Sequence, residues 1–170
     1  MEEGLVQIYS GEGHGKSAAA IGRALQVACN GENVVIIRFL KGMRNDGFLK
    51  RLEPEIKIFR FEKSEEEFSQ LSAERQQEEI HNIKNGLNFA KKVLTTGECS
   101  LLILDEVLGL IDNGLISVED LQRIVEAKAD DVGIIMTGIH LEDKVCELAD
   151  EISKIEEVNY KIFRENTMQS

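Results

Sequence analysis

Residues 5–17 read LVQIYSGEGHGKS, and this stretch decides the fold. The apolar run 5–9 predicts a buried strand, and the alanines at 18–20 favour a helix directly after the stretch. Between them, alternating glycines allow successive N–H groups to point into one concavity, where they and the positive end of the helix can bind anionic oxygens. The stretch therefore predicts a phosphate-binding loop, and with it a nucleoside triphosphate as ligand.

Lys16 and Ser17 carry the side-chain chemistry of this loop. The ammonium of Lys16 can lie against phosphate oxygens, and the hydroxyl of Ser17 can ligate a magnesium ion that bridges them. Ser10 departs from the strict pattern G-x-x-x-x-G-K-[ST], so a glycine-rich turn without a ligand is the alternative, but the Gly-Lys-Ser ending favours binding. An inward carboxylate at Glu12 would repel phosphate, so we expect it to face solvent or a ribose hydroxyl, and His14 to be solvated. The candidate nucleotide-binding residues of the loop are Ser10, Gly11, Glu12, Gly13, His14, Gly15, Lys16 and Ser17.

The composition is typical of one globular domain. The chain has 170 residues, 42% of them hydrophobic and 30% charged, and we expect a single domain over 1–170. A formal net charge of -11 argues against nucleic acid as a partner, because phosphate neutralisation needs clustered Lys and Arg. Three widely separated cysteines, an acidic N-terminus without a signal pattern and no long apolar run predict a cytoplasmic protein that does not engage a membrane.

Apolar runs alternate with helical patterns along the chain, which predicts an α/β fold whose mostly parallel sheet is flanked by helices. The predicted strands are 5–9, 34–40, 56–61, 101–104 and 133–136. The predicted helices extend from the loop to about Cys29, span 47–53, 72–94 and 141–149, and begin at 117–120. The apolar stripe of the helix over 72–94 is expected to contact the core or a second copy of the chain.

Two adjacent carboxylates, Asp105 and Glu106, follow the buried strand over 101–104. Ligands of doubly wound sheets gather at the carboxyl ends of the strands, so these groups can meet a bound metal nucleotide. One carboxylate can hold magnesium, and the other can orient water, accept a proton or support the metal indirectly. Asp-Glu is also a common helix start, but its pairing with the glycine loop favours the functional interpretation and a P-loop nucleotide-binding fold.

Five segments in order resemble the ATP:corrinoid adenosyltransferases of the CobA/CobO/BtuR type. They are 4–17, 39–42 (FLKG), 104–106 (LDE), 137–138 (TG) and 147–150 (ELAD). The resemblance covers about 4–155, and a Ser or Thr at the position of Ser10 is normal in that family.

The resemblance implies that ATP donates its 5′-deoxyadenosyl group to the cobalt(I) of a reduced corrinoid, with triphosphate as the leaving group. It implies catalytic roles for Lys16 and Glu106, and a Mg²⁺ or Mn²⁺ site at Ser17, Asp105 and Glu106. It also implies that ATP lies in the loop with reversed polarity, that a partner reduces cobalt(II), and that the protein is a homodimer.

A corrinoid pocket with apolar contacts is also implied. The aromatic candidates are Phe39, Phe59, Phe61 and Phe68, and Lys41 belongs to the loop that follows the second strand. Phe59 and Phe61 share one face of a predicted strand, so a place in the core is favoured over a corrinoid contact for them. We therefore predict corrinoid or nucleotide contacts for Phe39, Lys41 and Phe68.

The sequence also departs from the family pattern. Ile139 follows Thr-Gly where members commonly carry Arg, and Gln26 stands where many carry Arg, although Arg23, one helical turn earlier, is predicted to compensate by binding the cofactor. The tail 159–170 lacks the usual Lys-His segment. Three function classes therefore stay open, namely a divergent transferase, a P-loop phosphotransferase or ATPase, and a noncatalytic nucleotide or corrinoid binder.

Overall fold

A computed structural model describes residues 3–39, 47–61 and 66–169. Within them six strands form one sheet in the order β3-β2-β4-β5-β1-β6, and every neighbouring pair is parallel. The strands are β1 Val6–Ser10, β2 Val34–Arg38, β3 Ile56–Arg60, β4 Leu101–Asp105, β5 Gly133–Gly138 and β6 Glu151–Lys154. The α/β prediction with a mostly parallel sheet is confirmed.

The described chain also contains six α-helices and two 3₁₀ turns, all of which lie between strands except the last helix, which follows β6. The helices are α1 Gly15–Cys29, α2 Ala73–Thr96, α3 Val107–Asp112, α4 Val118–Glu126, α5 Asp143–Cys146 and α6 Tyr160–Met168, and the 3₁₀ turns are Gly47–Leu52 and Phe68–Gln70. None of these helices is long and apolar enough to cross a membrane.

Local sequence signals explain the ends of the longer helices. The Ser72 hydroxyl accepts a hydrogen bond from the Arg75 N–H at the start of α2, and Gly97, with φ 70°, ends this helix in the left-handed conformation. Ser117 and Asp120 form a reciprocal capping box at the start of α4. The predicted helix boundaries at these places are therefore confirmed within one or two residues.

The second half of the chain departs from prediction at two places. The helix predicted over 141–149 is only α5, after which Leu148 and Ala149 donate to carbonyls three residues earlier, as in a tighter turn. Strand β6 was not predicted, because all four of its residues are exposed and give no alternating apolar signal. It adds to the edge of the sheet beside β1, with Ile152 paired to Ile8.

The core lies on both faces of the sheet, as in a doubly wound fold. Val35 and Ile37 of β2 pack towards α2, α3 and α4, whereas Val34 and Ile36 belong to the cluster under α1. The predicted apolar stripe of α2 enters this core through four buried residues, Ile83, Leu87, Ala90 and Leu94. Of the two alternatives for that stripe, the structure supports the core.

The strand order brings the site together. β4 lies between β2 and β5, and β5 lies next to β1. Because all these strands are parallel, Ser10, Arg38, Asp105 and Gly138 end at the same edge of the sheet.

Candidate functional site

The phosphate-binding loop joins β1 to α1 at this edge. Gly11 and Gly13 adopt φ values of 148° and 82°, which side-chain-bearing residues rarely reach. Glu12 and His14 are exposed, as their expected solvated positions require. The loop is held to the sheet by a hydrogen bond from the Gly11 N–H to the Gly138 carbonyl, 3.1 Å.

Lys16 is buried, with 3% of its surface exposed. Its ammonium donates to the Gly13 carbonyl at 3.1 Å and forms an ion pair with Glu106 Oε1, also at 3.1 Å. The ammonium is thus fixed between the loop and the end of β4. Breaking such a buried pair by removing one partner leaves a desolvated charge.

Asp105 is the centre of a polar network and is 4% exposed. Its Oδ1 accepts hydrogen bonds from Ser17 Oγ at 3.0 Å and from Thr137 Oγ1 at 2.8 Å. Its Oδ2 lies 3.4 Å from Nε of Arg38. Asp105 therefore joins residues from β2, β5 and α1 at one point.

Glu106 adopts a strained backbone conformation, with φ 62° and ψ 20°. It is the one non-glycine residue of the described chain with a positive φ, and such residues cluster at functional sites because the surrounding structure must hold them. Thr137 does this, since its hydroxyl oxygen accepts a hydrogen bond from the Glu106 N–H at 2.8 Å. The same hydroxyl donates to Asp105, so one buried side chain positions both carboxylate residues.

Sequence reasoning did not assign Thr137 or Arg38 to the site. Thr137 was noted only as part of a family segment, and Arg38 belongs to none of the predicted motifs. The usable signals were a threonine at the end of a buried strand, and the register that pairs Arg38 directly with Asp105 across β2 and β4. The second signal depends on the strand order and is not visible in the sequence.

The donor set fits a magnesium ion. Ser17, Asp105 and Glu106 offer oxygen atoms, which Mg²⁺ prefers. Because the Ser17 hydroxyl gives its proton to Asp105, its lone pairs stay available to a cation. Glu106 Oε1 is buried and, in the described chain, has no hydrogen bond of standard geometry beside its ion pair with Lys16. No group of three or more His, Cys, Asp or Glu suited to a metal lies within the described residues, so phosphate oxygens and water would have to complete the shell.

Arg23 is not brought to the loop. It is exposed on α1, donates to Gln26 Oε1 at 3.0 Å, and lines a cleft with Leu5, Leu101 and Gly133 at the opposite edge of the sheet. Two helical turns separate Arg23 from the N-terminus of α1, so this position does not support the prediction that Arg23 binds the cofactor in place of an arginine at position 26.

The aromatic candidates are placed differently from one another. Phe39 is 2% exposed and packs in the core close to Gly86 of α2, so its predicted corrinoid contact is not supported. Phe59 and Phe61 pack against Phe89, with ring centroids 4.6 and 5.6 Å apart, as their core alternative required. Phe68 is half-buried in a 3₁₀ turn and keeps its predicted role as a proposal.

Lys41 falls in 40–46, outside the described residues, and its predicted contact is not tested.

A glycine loop between the first strand and first helix of a parallel sheet, with a carboxylate at the end of another strand on the same edge of the sheet, defines the class of P-loop nucleotide-binding domains. The structure of a KaiC-like protein, PH0186 from Pyrococcus horikoshii OT3, superposes with a TM-score of 0.61 over 94% of this chain and 76% of that one, at 18% identity. This likeness supports the fold.

Within that class, the family model of the ATP:corrinoid adenosyltransferase BtuR/CobO/CobP matches residues 2–170, and the chain belongs to this family. It is 23% identical to the corrinoid adenosyltransferase of Escherichia coli K12 over 94% of this chain and 80% of that protein. It is 24% identical to corrinoid adenosyltransferase CobA of Salmonella typhimurium LT2, with the same coverage. An uncharacterized protein of Nostoc, all2391, is 29% identical over 92% of this chain and 45% of its own length. The predicted family is confirmed, and the chain is a distant member of it.

Proposed function

We propose that this protein transfers the 5′-deoxyadenosyl group of ATP to the cobalt(I) of a corrinoid and releases triphosphate. The observation that carries the proposal is the buried cluster of Lys16, Ser17, Asp105 and Glu106 at the phosphate loop, in a chain that belongs to the ATP:corrinoid adenosyltransferases. A cobalt(II)-reducing partner and a homodimer belong to the same proposal.

The chemistry requires little acid or base catalysis. The cobalt(I) of the corrinoid substrate supplies an electron pair to the ribose 5′ carbon, the carbon–oxygen bond to the triphosphate breaks, and the leaving group keeps its pair. The protein has to align the two reactants and stabilise the charge that develops on the departing oxygen. Neither task needs a protein nucleophile.

The residues of the site suit the leaving-group task. Loop amides and the Lys16 ammonium would bind the triphosphate, while Ser17, Asp105 and Glu106 would hold Mg²⁺, which neutralises part of the polyphosphate charge when bound. Thr137 and Arg38 would keep Asp105 in place. When phosphate binds, Lys16 would exchange its contact with Glu106 for one with the leaving group.

A second candidate is a nucleotide-binding protein without transferase activity. Ile139 directly follows β5 at the site's edge of the sheet, is 43% exposed, and stands where the family resemblance expects a phosphate-contacting arginine. An exposed apolar side chain at this position cannot stabilise a leaving polyphosphate.

Product analysis separates the candidates. The full chain is incubated anaerobically with ATP, magnesium and chemically reduced cobalamin, and both the corrinoid and phosphate products are measured. Adenosylcobalamin with inorganic triphosphate supports the transferase. Binding of ATP without product supports the second candidate, and release of ADP with phosphate would point to a phosphotransferase or ATPase.

A further inference from the structure

The segment after β6 crosses the phosphate loop. β6 runs parallel to β1 and pairs Lys154 with Ser10, the last residue of β1. The Ile155 N–H then donates to the Ser10 carbonyl at 2.7 Å. We call residues 155–157 the strap. Its hydrogen bond to Ser10 holds it against the loop.

All three glycines of the loop face the strap. A Cβ on Gly11 would overlap the carbonyl oxygen of Ile155, and a Cβ on Gly15 would come within 2.8 Å of the Ile155 side chain. A Cβ on Gly13 would overlap the carboxylate of Glu157. The alternating glycines therefore serve a second purpose in this chain, since they make room for the strap as well as for phosphate.

Glu157 brings a negative charge to a loop that binds anions. Its carboxylate lies against Gly13, whose carbonyl accepts the hydrogen bond from Lys16. A phosphate on the loop amides would lie within about one Debye length, roughly 8 Å at physiological ionic strength, so the two negative charges would repel each other. Glu156 is exposed as Glu157 is, but it is not among the nearest neighbours of any of the three loop glycines.

We propose that Glu157 is a determinant of nucleotide affinity, whose carboxylate opposes the binding of polyphosphate to the loop. The inference rests on one part of the proposed function, namely that the loop binds the phosphates of ATP. It assigns to Glu157 a direct electrostatic effect on that ligand. Replacing the carboxylate by an amide of the same shape then tightens binding.

Calorimetric titration of the full chain tests this proposal. Mg-ATP and inorganic tripolyphosphate are titrated into the unmodified protein, Glu157→Gln and the matched control Glu156→Gln, which removes the same net charge. We expect Glu157→Gln to bind both ligands about 3- to 10-fold more tightly at low salt. The substitution removes the repulsion between one carboxylate and the bound phosphate in a partly solvated site. The control should change affinity by less than about 2-fold, and added salt should shrink the gain.

The results separate this proposal from the proposed function. If the unmodified protein binds the ligands and Glu157→Gln binds them equally or more weakly, the role of Glu157 is overturned and the nucleotide function is not. No binding of either ligand by any of the three proteins overturns both the role of Glu157 and the nucleotide function. Binding gained only in Glu157→Gln supports the proposal, and matching melting temperatures exclude a difference in folding as its cause.

Discussion

Thr137→Val is the sharpest test of the polar network, because valine keeps the shape of threonine and replaces only its hydroxyl by a methyl group. The Thr137 side chain is fully buried. Its hydroxyl accepts from the Glu106 N–H and donates to Asp105 Oδ1, both at 2.8 Å. The substitution therefore leaves a buried N–H without an acceptor and takes one of two hydroxyl donors from a buried carboxylate.

The expected loss of stability follows from these two contacts. An unsatisfied buried donor costs about 1–3 kcal/mol, and a hydrogen bond to a charged group contributes about 1.5–3 kcal/mol, so we expect a total near 3–5 kcal/mol. In a domain of this size that corresponds to a fall in melting temperature of roughly 6–20 °C. The strained backbone of Glu106 should relax as well, which would weaken Mg-ATP binding.

Thr137→Ser is the matched control. It keeps the hydroxyl and deletes one methyl group, which costs about 1 kcal/mol. Denaturant unfolding measures the free energy of unfolding of both variants, fitted with the same dependence on denaturant concentration. If Thr137→Val proves as stable as Thr137→Ser, the hydroxyl does not hold the two carboxylate residues, and the network as described fails.

Three further predictions concern separate parts of the chain. Lys16→Met should slow adenosyl transfer by about 10²–10³-fold and destabilise the fold, because Glu106 loses its cation; adding Glu106→Gln should restore stability in a thermal melt without restoring transfer. The backbone N–H of the helix cap lowers the pKa of Asp120 below its ordinary value of 3.8, so its stabilising effect should be present above pH 3.8 and vanish as the pH falls through the lowered pKa; Asp120→Asn should flatten the acid limb of the stability curve. Burial raises the pKa of the Cys99 thiol to about 11, helped by Glu98, so an alkylating reagent at neutral pH should label exposed Cys29 first and Cys99 only after unfolding, as peptide mass mapping would report.

Each of these predictions has a contradicting result. Full transfer activity in the Lys16→Met protein would remove the ammonium from the leaving-group role. An unchanged acid limb in Asp120→Asn would mean that the capping carboxylate has the same pKa in the folded and unfolded chain. Equal labelling rates for the two cysteines in the folded protein would contradict the burial of Cys99.

Local patterns were enough to predict most of the fold. Apolar runs gave five of the six strands, apolar periodicity gave the extent of α2, and the capping signal at 117–120 placed the start of α4. β6 was missed because its residues are all exposed, and α5 came out shorter than predicted because the chain tightens into a turn before that strand. Edge elements of this kind depend on their neighbour, β1, and carry little signal of their own.

The structure brings together the candidate residues of the glycine loop and of the carboxylate pair, but it does not bring two further candidates to them. Lys16, Ser17, Asp105 and Glu106 meet at the loop, as expected. Arg23 and Phe39 do not, since Arg23 lines a cleft at the opposite edge of the sheet and the Phe39 side chain is buried in the core.

The sequence by itself determined the loop, the strand that precedes it, the helix that follows it and the carboxylate pair, because each is encoded within a few consecutive residues. Only the tertiary structure decided that Thr137 bridges Asp105 and Glu106, that Arg38 stands opposite Asp105, and that the strap lies on the glycines. These contacts join residues far apart in the chain, and the order of parallel strands, which no local pattern specifies, brings them to one edge of the sheet.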